Sequence, residues 1–263
     1  MTLSPELVDA LTRFAAHREV LVATDFDGAL APLVLDPMSA RPVDGAMETL
    51  TALADLPGTT VALVSGRALE PLRELTGAEE PIVLVGSHGA EDSRRPDGLV
   101  LTDEQRALLD RLEGALDRLA EQYPGVRVER KPAARVVHTR GLSRPLGEEA
   151  LEAAEALGER HTSLVVTPGK EVVELAVAHV GKGAALVSLA RELDADAVLY
   201  AGDDVTDEDA FAAIEDDPDE DRRPRHVSVR VGDGETRARH RVADEHELVE
   251  VFRVLLEARS ASA

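Results

Sequence analysis

The chain has 263 residues, the size of one large domain or two modest ones. Hydrophobic residues make up 44% of it, enough to bury a core, which excludes wholesale disorder. It contains no cysteine, which excludes disulfides, thiolate catalysis and cysteine–zinc sites. The formal net charge of −22 argues against a nucleic-acid partner, because binding to a phosphate backbone needs clustered Lys and Arg.

The N-terminal residues 1–17 carry no basic start followed by an apolar block, so we predict no secretory signal. No apolar run approaches the roughly 20 residues that a membrane span needs. We therefore expect a cytoplasmic monomer without a membrane partner.

Short apolar runs alternate with helix-period stretches in both outer parts of the chain. Ser4 followed by Pro5 predicts the start of a first helix. Continuous apolar runs predict strands at residues 20–24, 60–64, 82–85 and 197–200. Such runs are typical of parallel strands that are covered on both faces. They predict an α/β fold with a doubly wound, Rossmann-like parallel sheet, in which ligands bind at the carboxyl ends of the strands.

The middle of the chain has a different pattern. A capping box at Thr102–Gln105 predicts a long helix. The segments that follow are predicted to be strands near Val126–Glu129 and Ala134–Thr139, a helix near Leu146–Arg160, and strands near Ser163–Thr167 and Glu171–Val177. Two α-β-β units in succession indicate an α+β domain of residues 93–178, inserted into a core domain of residues 1–92 and 179–263.

Two carboxylates follow the first predicted strand, in Asp25-Phe26-Asp27-Gly28. Because residues two apart on a strand point to the same side, the carboxylates of Asp25 and Asp27 emerge together. One could be a nucleophile and the other a general acid, with a divalent cation countering their repulsion. An ordinary Asp-Gly turn is the alternative reading of this motif alone.

Two further segments suit a phosphate group. Ser65-Gly66-Arg67 follows the second strand, where a hydroxyl and backbone N–H groups at a helix start can bind phosphate oxygens. Lys182 opens a helix, where its charge could neutralise a phosphate and keep a carboxylate ionised. Taken alone, Ser-Gly is more often a simple turn, and an exposed lysine is more often solvated.

Four acidic residues crowd the end of a late strand, in the segment 202–208. Their carboxylates are the kind of ligand that Mg²⁺ prefers, and acids also favour helix N-termini. We expect Asp203 to bind the metal, Asp207 to support it, and Glu208 mainly to cap the helix.

The order of these motifs resembles the haloacid dehalogenase superfamily of phosphohydrolases along the whole chain. The resemblance implies that Asp25 attacks phosphorus and that Asp27 protonates the leaving oxygen and then activates water. It also implies that Ser65 and Lys182 bind the phosphoryl oxygens. The expected Mg²⁺ residues are Asp25, Asp27 (through its backbone carbonyl), Asp203, Asp204 and Asp207. The resemblance also implies that the inserted domain is the cap, which closes over the site and chooses the substrate.

A local excess of positive charge lies in the inserted domain, although the chain as a whole is acidic. Between residues 122 and 147 six basic residues stand against one acid, Glu129. The basic residues are Arg127, Arg130, Lys131, Arg135, Arg140 and Arg144. We expect two or three of them to face an anionic substrate and the others to be solvated.

Further segments resemble trehalose-6-phosphate phosphatases. The segments are Glu129-Arg130-Lys131, His138-Thr139-Arg140, Gly169-Lys170 with Glu174, Gly86–Glu91, and Gly202–Glu208. The resemblance implies hydrolysis of trehalose 6-phosphate. The expected substrate-binding residues are Gly66, Arg67, His88, Glu91, Glu129, Lys131, His138, Arg140, Gly169, Lys170 and Glu174, and His138 is also compatible with a purely structural role.

The sequence departs from the family pattern in three places. Ala29 stands where Thr is usual, Thr139 replaces a Tyr, and residues 175–177 replace an Ile, a basic residue and a Pro. The second and third departures lie in the inserted domain, so they concern substrate specificity more than catalysis. The alternatives are a phosphatase for sucrose phosphate, a mannosyl phosphate or a hexose phosphate, a phosphomutase, and a silent sugar-phosphate-binding regulatory domain.

Overall fold

The chain divides into two units in the computed structural model, which describes residues 3–95, 103–131, 133–161, 163–177 and 181–262. Unit 1 comprises Met1–Pro96 and Gly181–Ala263, and unit 2 is Asp97–Val180. The insertion thus starts a few residues later than the expected residue 93. Ser93 stays with unit 1 because its N–H donates to Leu84 O at 2.8 Å, and Arg94 pairs with Glu192.

Unit 1 contains a seven-stranded sheet. Its strands are β1 (Val20–Thr24), β2 (Thr59–Val64), β3 (Val83–Gly86), β4 (Glu91–Asp92), β9 (Ala197–Gly202), β10 (Val227–Val231) and β11 (His240–Val242). The spatial order is β11-β10-β9-β1-β2-β3-β4, and only the β3–β4 pair is antiparallel. The central strand β1 is buried at all five positions, which explains its continuous apolar sequence.

Helices cover both faces of this sheet. They are α1 (Pro5–Ala15), α2 (Ala46–Ala54), α3 (Leu69–Thr76), α6 (Lys182–Glu192), α7 (Val205–Glu215) and α8 (Glu245–Ser262). Side chains of β1 alternate between two cores: Val20 and Val22 pack with α1, α2 and α8, whereas Leu21 and Ala23 pack with α6 and α7. The predicted doubly wound α/β core is confirmed.

A local signal starts α1 where the sequence predicts it. Ser4 accepts a hydrogen bond from Leu7 N at 3.2 Å, and Pro5 occupies the first turn of α1. The predicted capping residue Thr102 lies outside the described residues. In the described part of the chain, no helix has the length and apolar character that crossing a membrane requires.

Unit 2 is a four-stranded antiparallel sheet with two helices on one face. Its elements are α4 (Asp103–Gln122), β5 (Arg127–Lys131), β6 (Ala134–His138), α5 (Arg144–Glu159), β7 (Val165–Gly169) and β8 (Val172–Ala176). The strand order is β5-β6-β8-β7. Leu112 and Leu116 of α4 pack with Ala150 of α5 against Val137 and Val173 of the sheet. The opposite face of the sheet carries none of this core.

Candidate active site

Four polar segments lie at the carboxyl edge of the sheet in unit 1. Asp25 follows β1, Ser65 follows β2, and Asp203 follows β9. Lys182 is the first residue of α6. Because β1 lies between β2 and β9, the three strand ends are neighbours. The sequence prediction that these residues share one edge follows from this topology.

Lys182 joins two carboxylates in a buried cluster. Its Nζ lies 2.7 Å from Asp25 Oδ2 and 2.8 Å from Asp207 Oδ1. The residues are 2%, 4% and 0% exposed, in the order Lys182, Asp25, Asp207. Phe26 N donates to the other oxygen of Asp25 at 2.7 Å, which fixes the plane of that carboxylate. Removed from water, the ion pairs interact more strongly than surface pairs do.

Asp207 accepts four hydrogen bonds within the protein. Its Oδ1 accepts from Lys182 Nζ at 2.8 Å and from the Tyr200 hydroxyl at 2.6 Å. Its Oδ2 accepts from the backbone N–H groups of Asp203 and Asp204, at 3.0 and 2.9 Å. Asp207 therefore holds the lysine and the acidic loop in place.

Burial dominates the protonation of the cluster. It raises the pKa of Asp25 to about 7, with the charge of Lys182 acting in the opposite direction and that of Asp207 adding to the rise. Burial, followed by the charge of Asp207, also raises the pKa of Asp203 to about 6. The pKa of Lys182 is raised, because the two carboxylates outweigh the effect of its burial. Three carboxylates around one ammonium group leave excess negative charge.

This excess fits a divalent cation. Oxygens of Asp25, Asp203 and Asp207 lie within 4.8 Å of one another. Asp203 Oδ1 is buried and has no hydrogen-bond partner among the residues that the structure describes. A Cβ at Gly28, whose φ is +76°, would lie 2.0 Å from Asp203 Oδ2, so glycine leaves room for this carboxylate. An unpartnered oxygen among carboxylates suits Mg²⁺.

Two of the expected metal residues use their carboxylates elsewhere. Asp204 caps α7 by accepting a hydrogen bond from Val205 N at 2.6 Å. Both oxygens of Asp27 accept from Arg67: Nε lies 2.6 Å from Oδ2, and Nη2 lies 2.7 Å from Oδ1. The carboxylates within reach of one ion are those of Asp25, Asp203 and Asp207, and of these Asp207 already accepts four hydrogen bonds through its two oxygens.

The loop after β2 lies against the segment that contains His88 and Glu91. Ser65 is buried, and its carbonyl accepts a hydrogen bond from His88 N at 2.9 Å. A Cβ at Gly66 would lie 2.6 Å from the His88 ring, so the two loops touch only because residue 66 is glycine. Glu91 fixes the second loop by accepting from Ser87 Oγ at 2.6 Å. The structure thus brings Gly66, His88 and Glu91 to one edge.

Strand register in unit 2 puts four of the expected sugar-binding residues on the face of the sheet away from the helices. Glu129 and Glu174 both pair with Val136, so they flank it on this face. Glu174 accepts from Lys131 Nζ at 2.6 Å, and Glu129 Oε2 lies 2.8 Å from His138 Nε2. This open face thus presents two carboxylates and two nitrogen groups.

Two more expected residues lie at the turn between β7 and β8, and a third, Arg140, approaches this turn from the segment after β6. Gly169 ends β7 and Lys170 follows it. Arg140 Nε lies 3.9 Å from the carboxylate of Glu171 in the same turn, and its side chain is exposed.

Two arginines of the basic excess face the helices instead. Arg135 donates to Glu113 on α4 at 2.7 and 3.1 Å, and Arg130 pairs with the same carboxylate. Arg144 pairs with Glu148 one helical turn away at 2.8 Å. Of the six basic residues, Arg127 and Lys131 share the open face by their position in β5.

Tyr200 is the residue at this site that the sequence analysis missed. It is fully buried in β9 and packs edge-on against the Phe211 ring, with ring centroids 5.7 Å apart. Its hydroxyl reaches Asp207. One signal was available: a buried phenol needs a partner, and this one stands three residues before an acidic cluster.

Comparisons with known proteins agree on one family. The chain is 39% identical over 231 residues to the trehalose-phosphate phosphatase of Mycobacterium avium, covering 83% of this chain and 58% of that protein. It is 37% identical over 235 residues to the same enzyme of Mycobacterium leprae, covering 80% and 52%. The chain thus spans little more than half the length of these curated relatives.

A solved structure covers nearly the whole chain. The fold is similar to Aspergillus fumigatus trehalose-6-phosphate phosphatase, with 26% identity and a TM-score of 0.81 over 98% of this chain and 100% of that one. The family model for trehalose-phosphatase matches residues 23–246, which include every candidate residue described above. The chain therefore belongs to the trehalose-phosphatase family.

Proposed function

We propose that the protein is a phosphoric monoester hydrolase that releases phosphate from trehalose 6-phosphate. The observation that carries the proposal is the buried Asp25–Lys182 pair, at 2.7 Å, beside the unpartnered oxygen of Asp203. A nucleophile, a cation for phosphoryl oxygens and a free metal ligand are the parts that phosphoryl transfer needs. Family membership supports the choice of substrate.

The proposed reaction has two steps. In the first, an oxygen of Asp25 bonds to phosphorus while the bond from phosphorus to the sugar oxygen breaks, and Asp27 gives its proton to that oxygen. In the second, a water oxygen bonds to phosphorus as the Asp25–phosphorus bond breaks, and Asp27 takes the proton of the water. Both carboxyl groups return to their starting states. One hard displacement is replaced by two easier ones.

Lys182 and Ser65 hold the phosphoryl oxygens during both steps. Lys182 is already fixed by two carboxylates, so little reorganisation is needed when charge moves onto the phosphoryl group. Mg²⁺, when bound, would supply further positive charge, held by the carboxylates of Asp25 and Asp203 and the backbone carbonyl of Asp27. The raised pKa of Asp25 makes this cation important, because positive charge favours the ionised nucleophile.

The sugar would be recognised mainly by residues of unit 2. Carboxylates accept hydrogen bonds from sugar hydroxyls, whereas Lys, Arg and His donate them. The open face offers both kinds of group. The residues proposed to contact the sugar are Glu129, Lys131, His138, Arg140, Gly169, Lys170 and Glu174, with His88 and Glu91 of unit 1. A wrong sugar would leave some of these groups unpaired, which disfavours it strongly.

The test is phosphate release from trehalose 6-phosphate, glucose 6-phosphate and sucrose 6-phosphate, with Mg²⁺ and with EDTA. The proposal expects a strong preference for trehalose 6-phosphate that is lost with EDTA and in Asp25→Asn. The matched control is Asp92→Asn, which changes a carboxylate of the same unit that pairs with Arg94.

Each outcome separates the parts of the proposal. Activity on sucrose 6-phosphate alone would refute the substrate and keep the mechanism. Full activity in Asp25→Asn would refute the covalent step. A folded protein that releases no phosphate from any of the three would instead support a binding domain.

A further inference from the structure

The side chain of Arg67 bonds another side chain of the protein, although the family resemblance implies that Arg67 binds the substrate. Its Nε and Nη2 donate to the two oxygens of Asp27 at 2.6 and 2.7 Å. This fork geometry is the strongest and most directional pairing that an arginine makes with a carboxylate. The side chains are 13% and 31% exposed, so the pair is largely shielded from solvent.

The guanidinium group of Arg67 also packs over the aromatic ring of Phe26. Its Cζ lies 5.4 Å from the centroid of the Phe26 ring, and Phe26 is fully buried between the two candidate catalytic aspartates. A cation over an aromatic face is attracted to it and loses freedom to swing. Arg67 therefore has one well-defined position.

The backbone of Arg67 is fixed to the phosphate-binding loop. Its N–H donates to Ser65 Oγ at 3.2 Å, and its carbonyl accepts from Ser87 N at 2.7 Å. The loop after β2 therefore sets the position of the guanidinium group, which in turn sets the position of Asp27 on the loop after β1.

We infer that Arg67 is a positioning residue and not a phosphate-binding residue. It holds the carboxyl group of Asp27 in the position from which this group exchanges protons with the sugar oxygen and with water. The inference rests on the proposed function only in taking Asp27 as the acid–base group. The inference applies to any sugar phosphate whose leaving group is an alkoxide, because that oxygen must take up a proton. Each oxygen of Asp27 keeps a second lone pair outside the fork, and this position would carry the proton that Asp27 gives in the first step and accept the proton of water in the second.

The experiment is a double-mutant cycle on Arg67→Ala and Asp27→Asn, with inhibition by inorganic phosphate measured in each protein. We expect Arg67→Ala to lower kcat about 10- to 100-fold, part of the roughly 100- to 10,000-fold that a positioned acid–base group contributes. KM and the inhibition constant for phosphate should each stay within about threefold. In a protein that already carries Asp27→Asn, Arg67→Ala should lower kcat by less than about a further threefold.

Two further variants complete the design. Arg67→Lys keeps the charge but not the fork, so kcat should lie between those of the wild type and Arg67→Ala. Arg94→Ala removes a similar fork, whose Nε and Nη2 lie 3.0 and 2.6 Å from the oxygens of Asp92 in the same unit. It should leave kcat unchanged.

The inference is overturned if Arg67→Ala weakens inhibition by phosphate about tenfold or more, since Arg67 would then bind the phosphoryl group. It is also overturned if the losses from the two substitutions multiply, since Arg67 would then act independently of Asp27. Failure of the proposed function looks different. If the wild type prefers another sugar phosphate, the cycle is run on that substrate and the inference is judged there. A wild type without phosphatase activity would overturn both.

Discussion

Asp207 depends on Tyr200 for one of its four hydrogen bonds, and this phenol lies in a strand that looks purely apolar. We predict that Tyr200→Phe keeps the packing against Phe211 but lowers the free energy of unfolding by about 1–3 kcal/mol, the usual cost of losing a hydrogen bond to a charged group. Activity should fall about tenfold, because Asp207 positions Lys182. Urea denaturation and phosphate release measure the two effects.

Tyr123→Phe is the matched control. Its hydroxyl bonds Glu149 in unit 2 at 3.2 Å, away from the candidate site residues. It should change stability by less than about 1 kcal/mol and leave activity unchanged. Equal activity losses in the two variants would contradict the role given to Tyr200.

His226 gives a pH dependence to stability outside the candidate site. Its Nδ1 accepts from Val198 N at 3.1 Å, so the proton lies on Nε2, which faces Asp217 at 3.1 Å. Burial lowers the pKa of His226 below the ordinary 6.5, despite the opposing effect of Asp217. The unfolded chain thus binds more protons between the two pKa values. This contribution is complete above the unfolded pKa and is lost as the pH falls through the folded value.

We predict that His226→Asn, which keeps an acceptor for Val198 N and does not titrate, has a shallower loss of stability as the pH falls below the ordinary histidine pKa of 6.5. Urea denaturation at several pH values measures it. The control is His246→Asn on the exposed side of α8. Parallel pH curves for wild type and His226→Asn would show that His226 does not contribute.

Close contact between α6 and α7 sets the position of Lys182. A Cβ at Gly183 would lie 2.5 Å from the carbonyl oxygen of Asp209 on α7. We predict that Gly183→Ala lowers the free energy of unfolding by about 1–3 kcal/mol, because the clash outweighs the roughly 1 kcal/mol by which alanine favours a helix. Activity should fall too, since α6 must move and carries Lys182 with it.

Gly114→Ala should have the opposite effect on stability. Gly114 lies inside α4, where a Cβ would come no closer than 3.8 Å to Arg118 Nη1. Without a clash, the substitution should stabilise the protein by about 0.5–1 kcal/mol. Thermal unfolding of both variants measures the pair, and the same sign in both would contradict the proposed crowding at Gly183.

Elements with an unbroken apolar pattern could be predicted from sequence. Four strands, β1, β2, β3 and β9, lie within two residues of the predicted runs. The strands β10 and β11 were not predicted. In β10, Ser228 and Arg230 interrupt the apolar residues because they bond Glu215 and Glu208 of α7. The strand β11 has three residues only.

The candidate site also has a part that could be predicted from sequence and a part that could not. Asp25, Ser65, Lys182 and Asp203 could be placed together because each follows a strand or begins a helix at the carboxyl edge. The pairing of Asp27 with Arg67 could not be predicted. It joins residues 40 apart in sequence and depends on rotamers that only the folded loops determine.

At the scale of the molecule, Arg259 ties the C-terminal helix α8 to the opposite edge of the sheet in unit 1. Its buried guanidinium donates to Thr59 Oγ1 at 2.7 Å and to main-chain carbonyls of two loops, among them His17 O at 2.8 Å and Pro57 O at 3.0 Å. These carbonyls would lose their partners without it. We predict that Arg259→Met lowers the free energy of unfolding by about 2–4 kcal/mol.

Urea denaturation measures this effect, and the control lies on the same helix. Arg253 pairs with Glu250 on the surface, so Arg253→Ala should cost less than about 0.5 kcal/mol. Arg259→Lys, with three donors, should fall between wild type and Arg259→Met. Equal free energies of unfolding for Arg253→Ala and Arg259→Met would contradict the anchoring role of Arg259.

The distribution of tyrosine gives the protein a built-in optical probe. The chain has two tyrosines and no tryptophan, and Tyr123 lies in unit 2 whereas Tyr200 lies in unit 1. In Tyr123→Phe, all tyrosine absorbance and fluorescence would therefore come from a ring whose hydroxyl bonds a carboxylate of the candidate metal cluster. Mg²⁺ titrations could then be followed by near-ultraviolet spectroscopy without an attached label and without any substrate present.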